Sequence, residues 1–200
     1  MTGQVYSWDG LIPVIDPAAF VHPQAVIIGD VHIGPACYVG PGAVLRGDFG
    51  RITLMQGSNV QETCVVHSFP GKEVVVGPSA HIGHGAVLHG CWIGTNAMVG
   101  MNAVVMDDAM IGENSIVAAL AFVKAGSQIP PQSLVAGTPA KILRSLTPNE
   151  IEWKSQGTAI YQRLAAEAGQ KLRAVQPLAA AEANRKTLPA AHYRPKSRQP

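Results

Sequence analysis

The chain has 200 residues, a length that suits one domain with a sizeable core and an appendage. Because 14% of the residues are charged and 47% are hydrophobic, we expect much of the surface to be buried in a regular interior or against other subunits. The 15 basic and 13 acidic side chains give a net charge of +2, which argues against a nucleic-acid partner.

The cysteines and the N-terminal residues bear on the cellular compartment. Cys37, Cys64 and Cys91 form no CxxC pair, a pattern typical of a reducing compartment rather than of a disulfide framework. Residues 1–10 lack a basic segment followed by an apolar run, and no stretch approaches the roughly eighteen apolar residues of a membrane-spanning helix. We therefore expect a cytoplasmic protein with no membrane partner.

A bulky aliphatic residue recurs with a basic period of six between residues 33 and 135. Neither a helix, with about 3.6 residues per turn, nor a strand with alternating faces produces this spacing. A coil of three short flat faces does, with one aliphatic per face pointing inward. The sequence therefore predicts a mainly β protein built as a parallel β-helix. The recurring residues are Ile33, Val39, Leu45, Leu54, Val60, Val66, Val76, Ile82, Leu88, Ile93, Val99, Val105, Ile111, Val117, Val123, Ile129 and Val135.

The spacing between successive coils predicts two insertions. The coil starts are separated by 21, 22, 17, 18 and 18 residues, where 18 is ideal. We expect residues 46–53 and 68–75 to bulge out at the same corner, because each insertion follows the third aliphatic of its coil. Loops that crowd one corner of a rigid scaffold are a common place for function.

Three polar residues, Arg46, His67 and His89, also follow the third aliphatic of a coil. We expect them to stack in one outward column, with neighbours separated by the parallel-strand spacing of about 4.8 Å. Two imidazoles at that separation can share a metal ion about 2.0–2.1 Å from each nitrogen. His84 lies on the previous face of its coil, so we expect it to reach such a metal from a neighbouring subunit of a threefold assembly.

A wider set of segments carries a family likeness: Arg46-Gly47-Asp48, Asn59-Val60-Gln61, His67, His84 with His89, and Val99 to Asp107. Together they resemble the γ-class carbonic anhydrases, a family of hexapeptide-repeat proteins with left-handed β-helices. They are most similar to its phenylacetate-degradation and carnitine-operon branches. The resemblance implies a left-handed coil and a homotrimer with metal sites at its subunit interfaces.

The same resemblance implies which residues hold the metal. His67 and His89 would bind zinc from one subunit and His84 from the next, while Arg46 and Asp48 bridge the two subunits near the site. Three neutral imidazoles leave zinc an open position and lower the pKa of a bound water to about 7. Iron and cobalt also accept this ligand set.

Three further residues are candidate catalytic groups. The resemblance implies that Gln61 orients a metal-bound water. Apart from the resemblance, Glu62 is a candidate proton acceptor, and Tyr161 on the C-terminal helix is a further candidate. We interpret His81, next to this set, as structural.

Three functional hypotheses follow. The first, implied by the phenylacetate-degradation branch, is a zinc-dependent CoA-thioesterase acting on acyl-CoA intermediates or dead-end products of phenylacetate catabolism. The second is a γ-class carbonic anhydrase that converts CO2 to bicarbonate. The third is a hexapeptide acyltransferase or a non-catalytic trimeric scaffold.

The C-terminal part departs from the repeat. We expect the coil and its N-terminal lead-in at residues 1–143, a helical segment at 144–175 and an extended basic tail at 176–200. Thr147, Pro148 and Glu150 match a helix start, with a capping hydroxyl, Pro at the first position and Glu three after the cap. We expect this helix to be interrupted near Gly157.

Overall fold

A computed structural model, which describes residues 3–188, shows a left-handed parallel β-helix of about seven turns followed by one C-terminal helix, α1 (Pro148–Lys171). The predicted fold class is confirmed. In chain order the strands are β1 (Gln4–Tyr6), β2 (Val14–Ile15), β3 (Phe20–Val21), β4 (Val26–Ile33), β5 (Tyr38–Val39), β6 (Val44–Leu54), β7 (Asn59–Val60), β8 (Val65–His67), β9 (Val74–Val76), β10 (His81–Ile82), β11 (Val87–His89), β12 (Trp92–Ile93), β13 (Met98–Val99), β14 (Val104–Val105), β15 (Met110–Ile111), β16 (Ile116–Val117), β17 (Phe122–Val123), β18 (Gln128–Ile129), β19 (Ser133–Gly137) and β20 (Ala140–Ser145).

The strands form two sheets that cover the three faces of the coil. Twelve strands make one continuous sheet over two faces, because β4 and β6 run across the corner between them. The other eight strands, β3, β5, β7, β10, β13, β16, β19 and β20, make the third face. There β20 pairs antiparallel with β19 and ends the parallel stack.

The recurring aliphatics form the core. All of them are buried except Ile129, which is half-buried in the last coil. They pair in register from coil to coil, as in the succession Val60, Ile82, Val99 and Val117. The three cysteines are buried and free, in agreement with the prediction that they form no disulfide framework.

Both expected insertions are present. Residues 46–53 lie within the eleven-residue strand β6, and its pairing with β4 shifts register there: Gly47 pairs with Gly29 and Ile52 with Val31, so residues 48–51 bulge out opposite Asp30. The two strands approach so closely at the start of this bulge that a Cβ on Gly47 would lie 2.5 Å from the Asp30 carbonyl oxygen. Glycine therefore permits this close approach. The second insertion contains an irregular segment, residues 68–73, between β8 and β9.

Helix α1 begins as predicted but continues further. The Thr147 side chain accepts a hydrogen bond from the Glu150 amide, and the Glu150 side chain accepts one from the Thr147 amide, which completes the capping box. The expected interruption near Gly157 is wrong, since the helix is continuous through it. Gly157 and Thr158 are buried, and burial of this face offsets the cost of about 1 kcal/mol that glycine brings to a helix.

After α1, residues 172–188 contain neither helix nor strand. The remainder of the expected basic tail, residues 189–200, lies outside the described part of the chain. Among residues 3–188, no helix has the length and apolar character needed to cross a membrane.

The stacked core predicts unequal effects of truncating two adjacent residues. Ile111 is 1% exposed in the core, whereas Met110 is 47% exposed on the same strand. Ile111→Ala should lower the free energy of unfolding by about 2–5 kcal/mol, and Met110→Ala should change it by less than about 0.5 kcal/mol. Urea unfolding of the two variants measures this. Equal losses would contradict the assignment of the inward face.

Candidate functional site

His67 and His89 lie side by side on neighbouring strands. They are directly paired across β8 and β11, and their ring centroids are 5.3 Å apart with the planes tilted by 59°. This confirms the register predicted for them. Two imidazoles bound at about 2.0–2.1 Å to one tetrahedral ion have centroids roughly 5 Å apart. The pair therefore has the spacing of two ligands of a single metal ion.

His89 is oriented by a buried carboxylate. Its Nδ1 lies 2.8 Å from Oδ1 of Asp107, a residue that is almost fully buried. This contact leaves Nε2 as the nitrogen available to a metal, and a carboxylate behind a histidine is the usual support of a metal ligand. The sequence interpretation missed Asp107. It lies 18 residues after His89, one ideal coil further, so the register alone could have found it.

Arg46 and Asp48 contact both ring nitrogens of His67, Asp48 at Nε2 and Arg46 Nη2 at Nδ1, 3.4 Å away. Arg46 Nη1 donates to Asp48 Oδ2 at 2.7 Å, and His67 Nε2 lies 3.0 Å from Asp48 Oδ1. Burial by itself raises the pKa of the Asp48 carboxyl, but its hydrogen bonds with His67 and Arg46 outweigh burial and hold that pKa below its usual value. Burial, together with the Arg46 charge, lowers the pKa of His67 despite Asp48. The neutral imidazole, which is the metal-binding form, is thereby favoured.

The two insertions each place an aromatic ring beside one of these histidines. Phe49 lies 5.1 Å from His67 and Phe69 lies 5.2 Å from His89, measured between ring centroids. Both phenylalanines are exposed on their outer side. Sequence reasoning located the insertions but did not single out these rings. We call Arg46, Asp48, His67, His89 and Asp107 the histidine half-site.

A second cluster lies at the corner before β11. Tyr38 donates its hydroxyl to Glu62 Oε1 at 3.1 Å, and Glu62 Oε2 lies 2.5 Å from His84 Nδ1. The carboxylate therefore contacts one nitrogen of His84 and leaves Nε2 as the available one. Burial, followed by the Glu62 charge, raises the pKa of Tyr38, so its hydroxyl stays protonated.

Gln61 and Tyr161 both contact His81, and Tyr161 joins the second cluster through Tyr38, with ring centroids 5.4 Å apart. Gln61 is buried; its Nε2 donates to Asn59 Oδ1 at 3.0 Å and lies 2.7 Å from His81 Nε2. Tyr161 packs edge-on against His81 at 5.2 Å. Burial lowers the pKa of His81 to about 3, and burial with the Glu62 charge raises the pKa of Tyr161 to about 12. We call Gln61, Glu62, His84, Tyr161 and Tyr38 the tyrosine half-site.

The structure thus divides the predicted site residues into two groups. Arg46, Asp48, His67 and His89 come together at the end of β11, whereas Gln61, Glu62, His84 and Tyr161 come together at the corner before it. Within residues 3–188 of one chain, no three His, Cys, Asp or Glu side chains are arranged to hold a metal ion.

A buried lysine fixes α1 against the coil next to the tyrosine half-site. Lys154 is 3% exposed, and its Nζ donates to the Ser79 carbonyl and to Asn96 Oδ1, both at 2.7 Å. Gln162, two turns later, donates to the Gly57 carbonyl at 3.0 Å. Burial lowers the pKa of Lys154 to about 7. These bonds set the position of Tyr161.

Comparison with known proteins places the chain among the hexapeptide-repeat proteins. The family model described as "Bacterial transferase hexapeptide (six repeats)" matches residues 13–47 and 90–125. Two solved structures share most of the fold. The product of the Bacillus cereus BC4754 gene has a TM-score of 0.81 at 30% identity over 83% of this chain and 96% of that one. A hexapeptide transferase family protein from Anaplasma phagocytophilum has a TM-score of 0.79 at 38% identity over 82% and 98%.

A curated relative narrows the family further. The carnitine operon protein CaiE of Salmonella agona (strain SL483) is 50% identical over 195 residues, which cover 97% of this chain and 98% of the relative. The chain therefore belongs to the CaiE family of hexapeptide-repeat proteins. The predicted membership of the hexapeptide-repeat proteins, with the carnitine-operon branch, is confirmed.

The buried lysine predicts a pH dependence of stability. The folded-state pKa of about 7 lies below the ordinary lysine pKa of 10.5, so between pH 7 and 9 the unfolded chain binds more protons and this group makes folding more favourable as pH rises. Lys154→Met removes this titrating group. The difference in unfolding free energy between the wild type and Lys154→Met should therefore shift by about 2 kcal/mol in favour of the wild type from pH 7 to pH 9. Urea unfolding at both pH values measures the difference, and a constant difference would contradict this account.

Proposed function

We propose that the protein is a zinc-dependent hydrolase of acyl-CoA thioesters whose sites form between neighbouring subunits of a homotrimer. The observation that supports this most is the His67–His89 pair, with ring centroids 5.3 Å apart and His89 oriented by Asp107. A coil does not need this arrangement for its stability, because both imidazoles lie outside the aliphatic core.

The third ligand we propose is His84 from a neighbouring copy. Its side chain is about half exposed, and Glu62 occupies Nδ1, so Nε2 is free to face outward across an interface. A threefold arrangement would bring the tyrosine half-site of one subunit to the histidine half-site of the next and make three equal sites.

The donor set fits zinc. The burial that lowers the pKa of His67 favours its neutral, metal-binding form, and the Asp107 carboxylate orients His89 so that its Nε2 can bind. On His67 the metal would replace one of the present contacts, with Asp48 at Nε2 or with Arg46 at Nδ1. Iron or cobalt would accept the same ligands. When bound, the metal would supply a nucleophile at neutral pH and polarise a carbonyl oxygen.

The remaining residues would position the substrate and move protons. Glu62 is the proposed proton acceptor, since its side chain is 34% exposed, against 8% for Asp48 and 12% for Asp107, the other two carboxylates that touch a proposed ligand. Tyr38 holds Glu62 by a hydrogen bond. Gln61 donates its amide to Asn59, which leaves the amide oxygen to orient water. Tyr161 remains a protonated hydroxyl, able to donate to a developing negative charge. Arg46 and Asp48 hold His67 and would face the interface.

Acyl transfer is the second candidate, because a relative at 38% identity is a hexapeptide transferase family protein. The two reactions differ in the acceptor, which is water for a hydrolase and an amine or hydroxyl for a transferase. The assignment of the acyl group to phenylacetate catabolism stays a prediction, as does hydration of CO2 at the same site.

The proposed activity predicts metal-dependent release of free thiol. Zinc-loaded protein should release CoA from aryl-acyl or enoyl-CoA esters without an added acceptor, and His67→Ala should slow this by at least about 100-fold because a ligand is lost. The matched control is His32→Ala, whose imidazole pairs with Asp30 on its own strand, β4; it should retain the rate. Thiol release and zinc content are measured on the same preparations.

Three outcomes would count against the proposal. Unchanged thiol release from metal-free protein would exclude the zinc site. Release only when an amine or alcohol acceptor is added would favour acyl transfer. Rapid CO2 hydration with no thiol release from any ester would favour a carbonic anhydrase.

A further inference from the structure

An open cavity of about 380 Å³ lies between the C-terminal half of α1 and the coil. This volume falls in the range of small-molecule sites. Its floor is the pair Phe20 and Tyr38, which stack with ring centroids 5.7 Å apart and planes 21° from parallel. Leu164, Ala168 and Leu172 of the helical segment form the opposite wall.

At the cavity, α1 packs on the coil through small side chains. Ala165 and Ala168 pack with Phe20 and Tyr38 in a small apolar cluster that Tyr161 adjoins. Small alanine side chains leave room beside the aromatic floor, and the side chains of Leu164 and Leu172 border that room while remaining about 40% exposed. The cavity is thus an apolar and accessible slot.

One end of the cavity is the tyrosine half-site itself. Glu62 lines the cavity, and the same carboxylate accepts from Tyr38 and contacts His84. At the other end the lining includes Lys171, which pairs with Glu167 at 2.6 Å on the surface. The slot therefore leads from the proposed proton acceptor along an aromatic floor to the surface.

We propose that this cavity binds the acyl group of the thioester, and that it selects apolar acyl groups long or flat enough to lie on the Phe20 and Tyr38 rings. This inference rests on the proposed hydrolase function, whose proton acceptor it shares. The cavity begins at Glu62. A thioester whose carbonyl lies beside that carboxylate would therefore extend its acyl chain into the cavity. The CoA portion then extends away from the helix. Flat rings add stacking to the burial of apolar surface.

The test uses thioether analogues, which bind without being hydrolysed. S-(2-phenylethyl)-CoA should bind the full-length protein about tenfold more tightly than S-ethyl-CoA, because its ring is buried in the slot. Leu164→Trp narrows the slot and should abolish this preference. Ile160→Trp is the matched control. Ile160 lies one turn earlier on the same helix and is 38% exposed, against 40% for Leu164, but it does not line the cavity. This variant should therefore keep the preference for the phenylethyl analogue.

Isothermal calorimetry gives the ratio of the two dissociation constants for each variant, and circular dichroism checks that each is folded. Leu172→Trp narrows the same slot from its outer end and serves if Leu164→Trp does not fold. Equal or undetectable binding of the two analogues, or a preference that survives both narrowing variants, would overturn the inference. Thiol release is measured separately, so a preference for the phenylethyl analogue in a protein that hydrolyses no ester would refute the hydrolase function alone.

Discussion

The structure depends on one constraint, the in-register stacking of a buried aliphatic at every sixth residue. Each such residue is paired in register with the equivalent residue one coil away, as Val66 is with Leu88. Because side chains of a strand alternate between faces, a slip of one residue would move the whole set out of the core. The register is therefore strongly specified. It also fixes every residue next to the aliphatics, which is why His67 and His89, each one position later, face the same side.

The same rigidity explains why the site residues fall into two half-sites. A flat face separates the corner that carries His84 from the end of β11 that carries His89, and a coil stabilised by this register cannot bend to bring them together. Local contacts instead complete each half: Asp107 behind His89, and Tyr38 with Glu62 beside His84. Each histidine is thereby oriented before any metal or neighbour arrives, which lowers the cost of assembling the proposed site.

Sequence reasoning succeeded where the period of six governs. The core, the coil order and the pairing of His67 with His89 follow from spacing alone, and Thr147 with Glu150 follows from local hydrogen bonding. It failed where tertiary packing decides, because burial keeps α1 continuous through Gly157. The cavity beside Phe20 could not be predicted, since it depends on how closely a distant helix approaches the coil.

The central claim is that a working site combines the histidine half-site of one chain with the tyrosine half-site of another. Refolding an equimolar mixture of His67→Ala and His84→Ala chains, and measuring bound zinc and thiol release, tests it directly. Each variant alone should be inactive and bind little zinc. In randomly assembled trimers about a quarter of the sites would have both halves intact, so the mixture should recover about that fraction of wild-type zinc and activity. A mixture as inactive as its components would contradict the claim.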